Sequence, residues 1–519
     1  MAAPIIRRRP VISHTRSAAI STSLRRSTAR RMPRAHETLL RRIHGFGNDL
    51  LQVNGVPLSF RRISGLPRAC HAGTRLARGR DVAWNDLFRA LSYVRSALWI
   101  VPLMAILLVL AIAPLVRWLD NWLQWPFAGL GLDGARALCE TVITFSLSFM
   151  VFTFGSLLVA IQVASGQLTP RIIATTLLRD NVVRYSVGLF VFSLVFAVMT
   201  LDRLDNRGYG LTMFVVALLG IASMATFLFL IDYAARLLRP VSILGRVGAE
   251  GLRAILGVYP EKVTSGPDTA PRFTPPPSSS RIVRHAGPPG IMLAVDREAL
   301  VADAALANGI IELVPHIGDF VAVDEPLLTL YGGATALADA RLRETVAIGA
   351  ERTMEQDPLF AFRILTDIAL KALSPAINDP TTAVLALDQI QHLLRVVGRR
   401  RLRGELVDDA LGVHRLVYRT PNWEDFVHIA CTEIRGAGAG SIQIARRLRS
   451  MLENLIATLP PHRHPALIEE RERLDYALET LYPHPSDRAL ARIADSQGLG
   501  ASASDAPPRT APQVRGALT

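Results

Sequence analysis

Four long stretches in the first half of the chain contain no charged side chain. They are Ala97–Val116, Thr141–Pro170, Tyr185–Leu201 and Gly208–Ile231. A run of roughly 18 or more apolar residues crosses a bilayer as a helix, because a helix satisfies its backbone polar groups within the segment. The pattern therefore predicts four transmembrane helices.

The second of these stretches is the most polar. Small and polar residues recur every seven positions at Thr141, Ser148, Gly155 and Gln162, with Thr144 and Ser165 on the neighbouring ridge. Seven residues are nearly two helical turns, so these side chains share one stripe of the helix. Two interpretations stay open. The stripe is a seam for another helix, since small residues allow close approach and hydroxyls and amides hydrogen-bond across helices, or it lines a water-filled path.

The sequence ASGQLTPR at 164–171 closes the second stretch. One interpretation is that Gln162, Gln167 and Arg171 gate a pore or bind phosphate. The other is that Thr169-Pro170 begins an interfacial helix that places Arg171 at the level of the lipid headgroups. The candidate functional residues in and beside this helix are Ser148, Gln162, Ser165, Gln167, Pro170 and Arg171.

Positive charge is concentrated in the N-terminal arm. Residues 1–80 contain 17 Arg and two acidic residues, a formal charge of +15, whereas the whole chain carries +14. Such an arm can contact anionic lipid headgroups or RNA. Alternatively it is disordered and only sets orientation, or it is upstream sequence from a misassigned start. We do not expect nucleic acid as a partner.

Basic residues also indicate how the helices are oriented. They precede the first stretch and follow the second and the fourth, whereas acidic residues balance them in the other two loops. With four spans, all basic segments fall on one side of the membrane. The positive-inside rule then predicts that both termini are cytoplasmic.

The pattern after the fourth stretch predicts a separate region. Asp232–Tyr259 reads as one helix that leaves the membrane, and a Pro-rich linker follows it. The predicted organisation is a disordered arm (1–84), a four-span domain (85–240), an exit helix and linker (241–290), a β-rich segment (291–336), a helical domain (337–488) and a disordered tail (489–519).

Two Asp-Pro pairs mark helix starts in the helical domain. An Asp at the N-cap accepts amide hydrogen bonds, and a Pro at the next position lacks an N–H that the helix does not use. Asp357-Pro358 therefore predicts a helix to about Leu373, and Asp379-Pro380 predicts an antiparallel helix to about Val397. Further helices are expected near 422–434, 440–458 and 465–481.

The turn between these two helices, SPAINDP, holds Ser374, Asn378 and Asp379. With Lys371 and Asp367 nearby, these residues can form a polar site for a small ligand or a cation. The alternative is that turn and capping chemistry explains each of them.

The β-rich segment is similar to the hairpins of biotinyl and lipoyl carriers, where a GD-x-V turn precedes a P-L-x-x-L strand. A carrier needs an exposed lysine on the hairpin. The chain has only Lys262 and Lys371, and neither is on this hairpin, so no carrier function is expected.

No pattern points to a metal, a cofactor or a catalytic site. The three cysteines, Cys70, Cys139 and Cys431, are scattered, and His462 and His464 have no third ligand that the sequence can nominate. The chain has no P-loop, dinucleotide-binding fingerprint, serine elbow or HExxH motif. We therefore expect a protein that is not an enzyme.

Two segments together resemble a known family. SLLVAIQVASGQLTPRIIATTLLRD and QDPLFAFRILTDIALKALSPAINDPTTA are similar to domain-of-unknown-function family 2254, a bacterial family of predicted membrane proteins. The resemblance covers roughly residues 85–485 and implies a multi-pass inner-membrane protein with a cytoplasmic domain. It supplies no activity. Its signature positions are Gln162, Ser165, Gln167, Pro170, Arg171, Ser374, Pro375, Asn378, Asp379 and Pro380.

These observations predict an α-helical integral membrane protein. Its four-helix transmembrane domain precedes a cytoplasmic α+β region with a small β-rich segment and then antiparallel helices. Two functional classes remain. One is a channel or transport-related protein with a regulatory or assembly domain, and such a protein can be a homo-oligomer. The other is a non-enzymatic scaffold or sensor whose cytoplasmic domain binds a ligand or protein. Beyond the lipid bilayer, no ion or small ligand can be named.

Overall fold

Five helices begin the part of the chain that the structure describes. The computed structural model describes residues 83–123, 131–167, 180–204, 210–237, 239–263, 273–276, 280–402 and 405–501. The helices are α1 (Trp84–Ser96), α2 (Ile100–Leu123), α3 (Leu132–Gln167), α4 (Asn181–Leu201) and α5 (Gly210–Leu237). The last four are each long and apolar enough to cross a membrane, which confirms the prediction of four candidate spans.

Helix α4 lies at the centre of the four-helix bundle and packs against α2, α3 and α5. Within its most apolar 18 residues, 56% are buried, against 11% in α2. Gly188 permits the close approach to α2, because a Cβ at this position would lie 2.8 Å from Cγ1 of Val101. The shortest of the four uncharged stretches therefore forms the core of the bundle.

The predicted exit helix is two helices. Helix α5 ends at Leu237, and α6 (Pro240–Val258) begins with Pro240 in its first turn. The single helix expected over Asp232–Tyr259 was wrong, because a proline is favoured at a helix start and interrupts a helix interior.

Two small sheets follow α6. Their elements are β1 (Ser280–Arg284), β2 (Gly290–Val295), α7 (Arg297–Leu306), β3 (Gly309–Leu313), β4 (Phe320–Val321), β5 (Pro326–Gly332), α8 (Asp339–Glu344) and β6 (Val346–Gly349). One sheet has the order β4-β2-β6. The predicted hairpin strands β4 and β5 do not pair with each other, since β5 lies between β1 and β3 in the second sheet.

The second sheet is completed by strands from the segment that was predicted to be helical. Strands β7 (Glu405–Asp408) and β8 (His414–Tyr418) extend it to the order β1-β5-β3-β8-β7. Strand β8 pairs in parallel with β3, while its other neighbour β7 is antiparallel. Periodicity does not separate a short apolar strand from a helix segment, and here the long-range pairing with β3 decides the outcome.

The helices predicted in the C-terminal region are confirmed. They are α9 (Pro358–Ala372), α10 (Pro380–Gly398), α11 (Trp423–Gly438), α12 (Ile442–Thr458) and α13 (His464–Leu481). A short helix that was not predicted, α14 (Pro485–Ala491), follows them. Both Asp-Pro pairs begin a helix as expected. The Asp357 carboxylate accepts the amide of Phe360 at 3.1 Å, and Asp379 accepts the amide of Thr382 at the same distance.

The chain remains ordered past the predicted start of the tail at 489. Helix α14 continues to Ala491, and Arg446 of α12 donates to the carbonyls of Ile493 at 3.0 Å and Gly500 at 3.1 Å. The Asp495 carboxylate accepts the amides of Gly498 and Gly500. A segment of low complexity is therefore fixed here by a buried arginine that the composition of the tail does not reveal.

One hydrophobic core connects the bundle to the C-terminal region. It includes Leu157 and Val187 of the bundle, Ile243 of α6, and Phe362 and Trp423 of the helices beyond the sheets. A separate core lies between the two sheets around Met292 and Leu328. Helix α6 is therefore the element through which the membrane helices contact the C-terminal helices.

Candidate functional site in the membrane helices

The predicted polar stripe of α3 faces outward from the bundle. Thr141, Ser148, Gly155 and Gln162 are all exposed in the single chain. A Cβ added at Gly155 would meet no neighbouring atom within 4 Å. We call these four residues the outer stripe.

A second stripe with the same seven-residue spacing lies on the opposite face of α3. Ser146, Thr153 and Ala160 are buried there. Two residues along a helix correspond to a rotation of about 200°, so Ser146 and Ser148 point in nearly opposite directions. We call the buried set the inner stripe. It is the face of α3 that closes the bundle.

Helix α4 carries a matching buried stripe of Ser186, Ser193 and Thr200. The Ser193 hydroxyl is hydrogen-bonded to that of Ser223 on α5, with 3.0 Å between the oxygens. The Thr200 hydroxyl donates to the carbonyl of Phe196 at 2.8 Å. Small residues thus allow close helix contact inside the bundle, and most of their polar groups are satisfied there.

The outer stripe has no such role within one chain. No side-chain hydrogen bond joins Ser148 or Gln162 to another described residue. Thr141 and Thr144 satisfy their hydroxyls on their own helix, through the carbonyls of Ala137 and Glu140. A side-chain amide that faces hydrocarbon without a partner is unfavourable. The side chains of Ser148 and Gln162 therefore need water, headgroups or another protein surface.

A buried carboxylate lies at one end of the bundle. Asp120, near the end of α2, is 2% exposed and accepts the amides of Leu211 at 2.9 Å and Thr212 at 3.1 Å. The Thr212 hydroxyl donates to the same carboxylate at 2.6 Å. Asp120 therefore caps the start of α5, where the unpaired amides and the helix dipole favour negative charge.

A second buried carboxylate lies at the opposite end of the bundle, where α4 begins. Asp180 caps α4 by accepting the amide of Val182 at 2.9 Å. It also accepts the hydroxyl of Tyr233 on α5 at 2.5 Å and Nη1 of Arg246 on α6 at 2.8 Å. One carboxylate thus joins two membrane helices to the helix that leads into the C-terminal region.

Sequence reasoning missed both carboxylates. Asp120 lies four residues after the first uncharged stretch, and Asp180 lies five residues before the third. The helices extend past the uncharged stretches that defined the predicted spans, so these groups are buried within the bundle. An N-cap search before the third stretch could have found Asp180, because Asp is favoured at that position.

The other candidates near the end of α3 are only partly described. Ser165 and Gln167 lie in the last turns of α3, and their side chains are outside the described set. Pro170 and Arg171 also lie outside the described residues. The two interpretations of the loop around Arg171 therefore stay predictions.

Turn and capping contacts account for the polar residues of the SPAINDP turn. The Ser374 hydroxyl donates to the carbonyl of Lys371 at 2.7 Å. Asn378 has a positive φ of 48°, a conformation that asparagine tolerates better than most residues. The Asp379 carboxylate accepts both the amide and the hydroxyl of Thr382. The structure places this turn between α9 and α10, on different elements from the outer stripe.

The described residues contain no group of three or more His, Cys, Asp or Glu that could hold a metal ion. Cys431 is fully buried, and desolvation raises the pKa of its thiol far above the ordinary value. A thiol of this kind is a packing residue, because only the thiolate is a good nucleophile.

Four apolar helices followed by a mixed α and β region define a multi-span membrane protein. A family model described as predicted membrane protein (DUF2254) matches residues 95–454, and the chain belongs to this family. The resemblance seen in the sequence is thereby confirmed.

Two mycobacterial proteins are similar to the chain over most of its length. They are the uncharacterized proteins Rv1290c of Mycobacterium tuberculosis and Mb1321c of Mycobacterium bovis. Each is 26% identical over 419 residues, which cover 77% of this chain and 80% of the relative. No solved structure matches the chain. The comparisons thus support a membrane protein and name no activity.

Proposed function

We propose that the protein is a homo-oligomeric channel or transport-related protein of the bacterial inner membrane, in which the outer stripe of α3 faces a path between copies. The observation that carries this proposal is the outward direction of Ser148, Gly155 and Gln162. Polar groups at this position are stabilised by water or by a neighbouring copy, and not by lipid tails.

The packing inside the bundle supports a path between copies and not through one chain. The rings of Phe149 and Phe227 stack with centroids 4.1 Å apart between α3 and α5. Val109, Phe196 and Val216 are almost fully buried in a second cluster of the bundle. Apolar side chains fill the space where an internal path would have to run.

The C-terminal region serves as the regulatory or assembly domain in this proposal. The contacts of Asp180 with Tyr233 and Arg246 connect its first helix to the bundle. We place this region and both termini in the cytoplasm, because the basic segments fall on that side. The proposal includes no enzymatic step.

Ion flux in liposomes tests the proposal. Wild-type protein is expected to conduct under an ion gradient, a membrane potential or osmotic tension, and Ser148→Leu or Gln162→Leu should reduce the flux. Ala225→Leu on α5 is the matched control, since it enlarges a small exposed residue on another span. If the wild type shows no flux under any of the three conditions, or if all three variants conduct as the wild type does, the proposed path along the outer stripe is contradicted.

Cross-linking tests the oligomer separately. In a background without Cys70, Cys139 and Cys431, Gly155→Cys should form disulfide-linked dimers in the membrane. Ile221→Cys, which is 69% exposed on α5, should not. If the protein in detergent has the mass of a monomer and the two cysteine variants cross-link equally, the protein is not the proposed oligomer.

The alternative function is a non-enzymatic membrane scaffold or sensor. A specific observation favours it, namely a cavity in the C-terminal region whose lining includes Arg297 and Arg419 and no residue of the outer stripe. A protein that binds a ligand there and shows no flux would be a sensor.

A further inference from the structure

A cavity of about 240 Å³ lies where five segments of the C-terminal region meet. Its walls come from the end of α6, the first residue of α7, Ile317 between β3 and β4, the residues at the start of α9, and the end of β8 with the residues that follow it. A second cavity of about 310 Å³ shares Val258, Arg297 and Tyr418 with the first. The shared residues make the two cavities neighbours with Arg297 at their border.

Two arginines of the first cavity have no acidic partner. Arg297 donates from Nη1 to the Tyr418 hydroxyl at 3.1 Å, and its guanidinium lies 5.9 Å from the centroid of the same ring. Arg419 is exposed at the cavity wall. In the part of the chain that the structure describes, neither guanidinium forms an ion pair. Their donors are therefore available, in contrast to those of Arg415 and Arg447, which pair with Asp409 and Asp388.

The two acidic residues of the cavity, Glu355 and Asp357, form no ion pair with Arg297 or Arg419 among the described residues. Asp357 is buried, and its carboxylate is used to cap α9 through the amide of Phe360. Desolvation raises the pKa of Asp357 to about 6, so this carboxyl carries its charge less readily than an exposed one. Glu355 is half-buried and remains the one other acidic group of the lining.

We propose that this cavity binds the phosphate or carboxylate group of a small soluble molecule, with Arg297 and Arg419 as the donors to the anion. A guanidinium offers a planar pair of N–H groups that matches both kinds of anion. The N-terminus of α7 at Arg297 and that of α9 at Pro358 both border the cavity, and each is already capped by an aspartate, Asp296 and Asp357. The Glu355 carboxylate is placed to accept a hydroxyl of the same molecule.

The size of the cavity limits the ligand. Pockets for drug-sized ligands have volumes of roughly 300–1,000 Å³, so the first cavity suits a molecule of a few carbon atoms. A longer molecule would extend past Arg297 into the second cavity. The proposal does not depend on the path between copies, because the ligand is bound in the C-terminal region.

Direct binding to the full-length protein in detergent tests this inference. The probes are inorganic phosphate, pyrophosphate and citrate, titrated calorimetrically at constant ionic strength. At least one probe should bind to the wild type. Arg297→Gln and Arg419→Gln should each weaken that binding by about ten- to a hundredfold, as expected for the loss of a hydrogen bond to a charged group.

Arg253→Gln is the matched control, because the Arg253 side chain is 76% exposed on α6 and does not line the cavity. This variant should bind as the wild type does. If Arg297→Gln fails to fold, Arg419→Gln still tests the proposal, since Arg419 makes no contact that the fold needs. Binding of no probe, or equal loss in Arg253→Gln and the two cavity variants, would overturn the proposal. Neither result depends on whether the protein conducts ions.

Discussion

The two faces of α3 carry the same kinds of residue at the same spacing, but their surroundings differ. The inner stripe of Ser146, Thr153 and Ala160 is buried, whereas Ser148 and Gly155 of the outer stripe face out of the bundle. The seven-residue period is the same on both faces, and each carries a serine and a threonine. What distinguishes them is which face α4 covers, and that depends on the whole bundle.

The comparison extends to charged groups. Asp180 pairs with Arg246 of α6, and Asp232 pairs with Arg236 one turn further along α5. The Asp180 side chain is 5% exposed, whereas that of Asp232 is 64% exposed. Burial therefore determines which of two similar ion pairs the fold depends on.

Removal of the buried carboxylate should have the largest effect. Asp180→Ala leaves Arg246 and Tyr233 without their partner and uncaps α4, so we expect a loss of about 3–5 kcal/mol in the free energy of unfolding. Asp232→Ala, the control, should cost less than about 1 kcal/mol because its pair is solvated. Unfolding in mixed detergent micelles measures both. Equal losses would show that burial at Asp180 does not matter.

The next effect concerns pH and a buried helix cap. The pKa of Asp357 is raised to about 6, mainly by desolvation, with Asp319 adding to the shift and Arg352 opposing it. The raised pKa means that the folded state favours the protonated form of Asp357. Its contribution to the free energy of unfolding is therefore fully present below the unfolded pKa near 4 and is lost as pH rises through 6. The isosteric Asp357→Asn should match the wild type at pH 4 and exceed it at pH 7 by about 3 kcal/mol.

Thermal unfolding of both proteins across this pH range measures the difference. Asp379→Asn is the surface control, because Asp379 caps α10 in the same Asp-Pro arrangement but is half-exposed. A wild type and an Asp357→Asn variant with parallel pH profiles would show that the Asp357 carboxyl titrates normally.

Local signals in the sequence were sufficient for elements that depend on nearby residues. Asp357-Pro358 and Asp379-Pro380 began the predicted helices, because a cap acts on amides three residues away. The four spans followed from length and apolarity alone. These features do not require knowledge of any distant part of the chain.

Features that depend on distant partners were missed. Strand β8 is fixed by its parallel pairing with β3, about a hundred residues earlier in the chain. The direction of the outer stripe depends on the packing of α4 and α5 against the opposite face of α3. Among the candidate residues, Ser374 and Asp379 were placed in the correct turn, but no local pattern indicated the arginines of the cavity.

Two glycines, one inside the bundle and one on its surface, allow the effect of an added methyl group to be compared at the two places. Gly188→Ala places a methyl group 2.8 Å from Cγ1 of Val101 and should destabilise the bundle by about 1–3 kcal/mol. Gly155→Ala meets open space and should be neutral, or stabilising by up to about 1 kcal/mol, in dilute detergent where copies are separate. A loss of stability in Gly155→Ala that appears only at high protein concentration would place this residue in contact with another copy.

The smallest expected effect concerns a single hydrogen bond inside the bundle. Ser193 and Ser223 lie on neighbouring spans with 3.0 Å between their hydroxyl oxygens. A double-mutant cycle with Ser193→Ala and Ser223→Ala should give a coupling of about 0.6 kcal/mol, which is the average for such bonds in a bilayer. Ser148→Ala should have no effect on the separate chain, since Ser148 has no partner among the described residues. If Ser148→Ala instead weakens association between copies by a similar amount, the outer stripe forms hydrogen bonds across the oligomer, and a water-filled path along Ser148 is excluded.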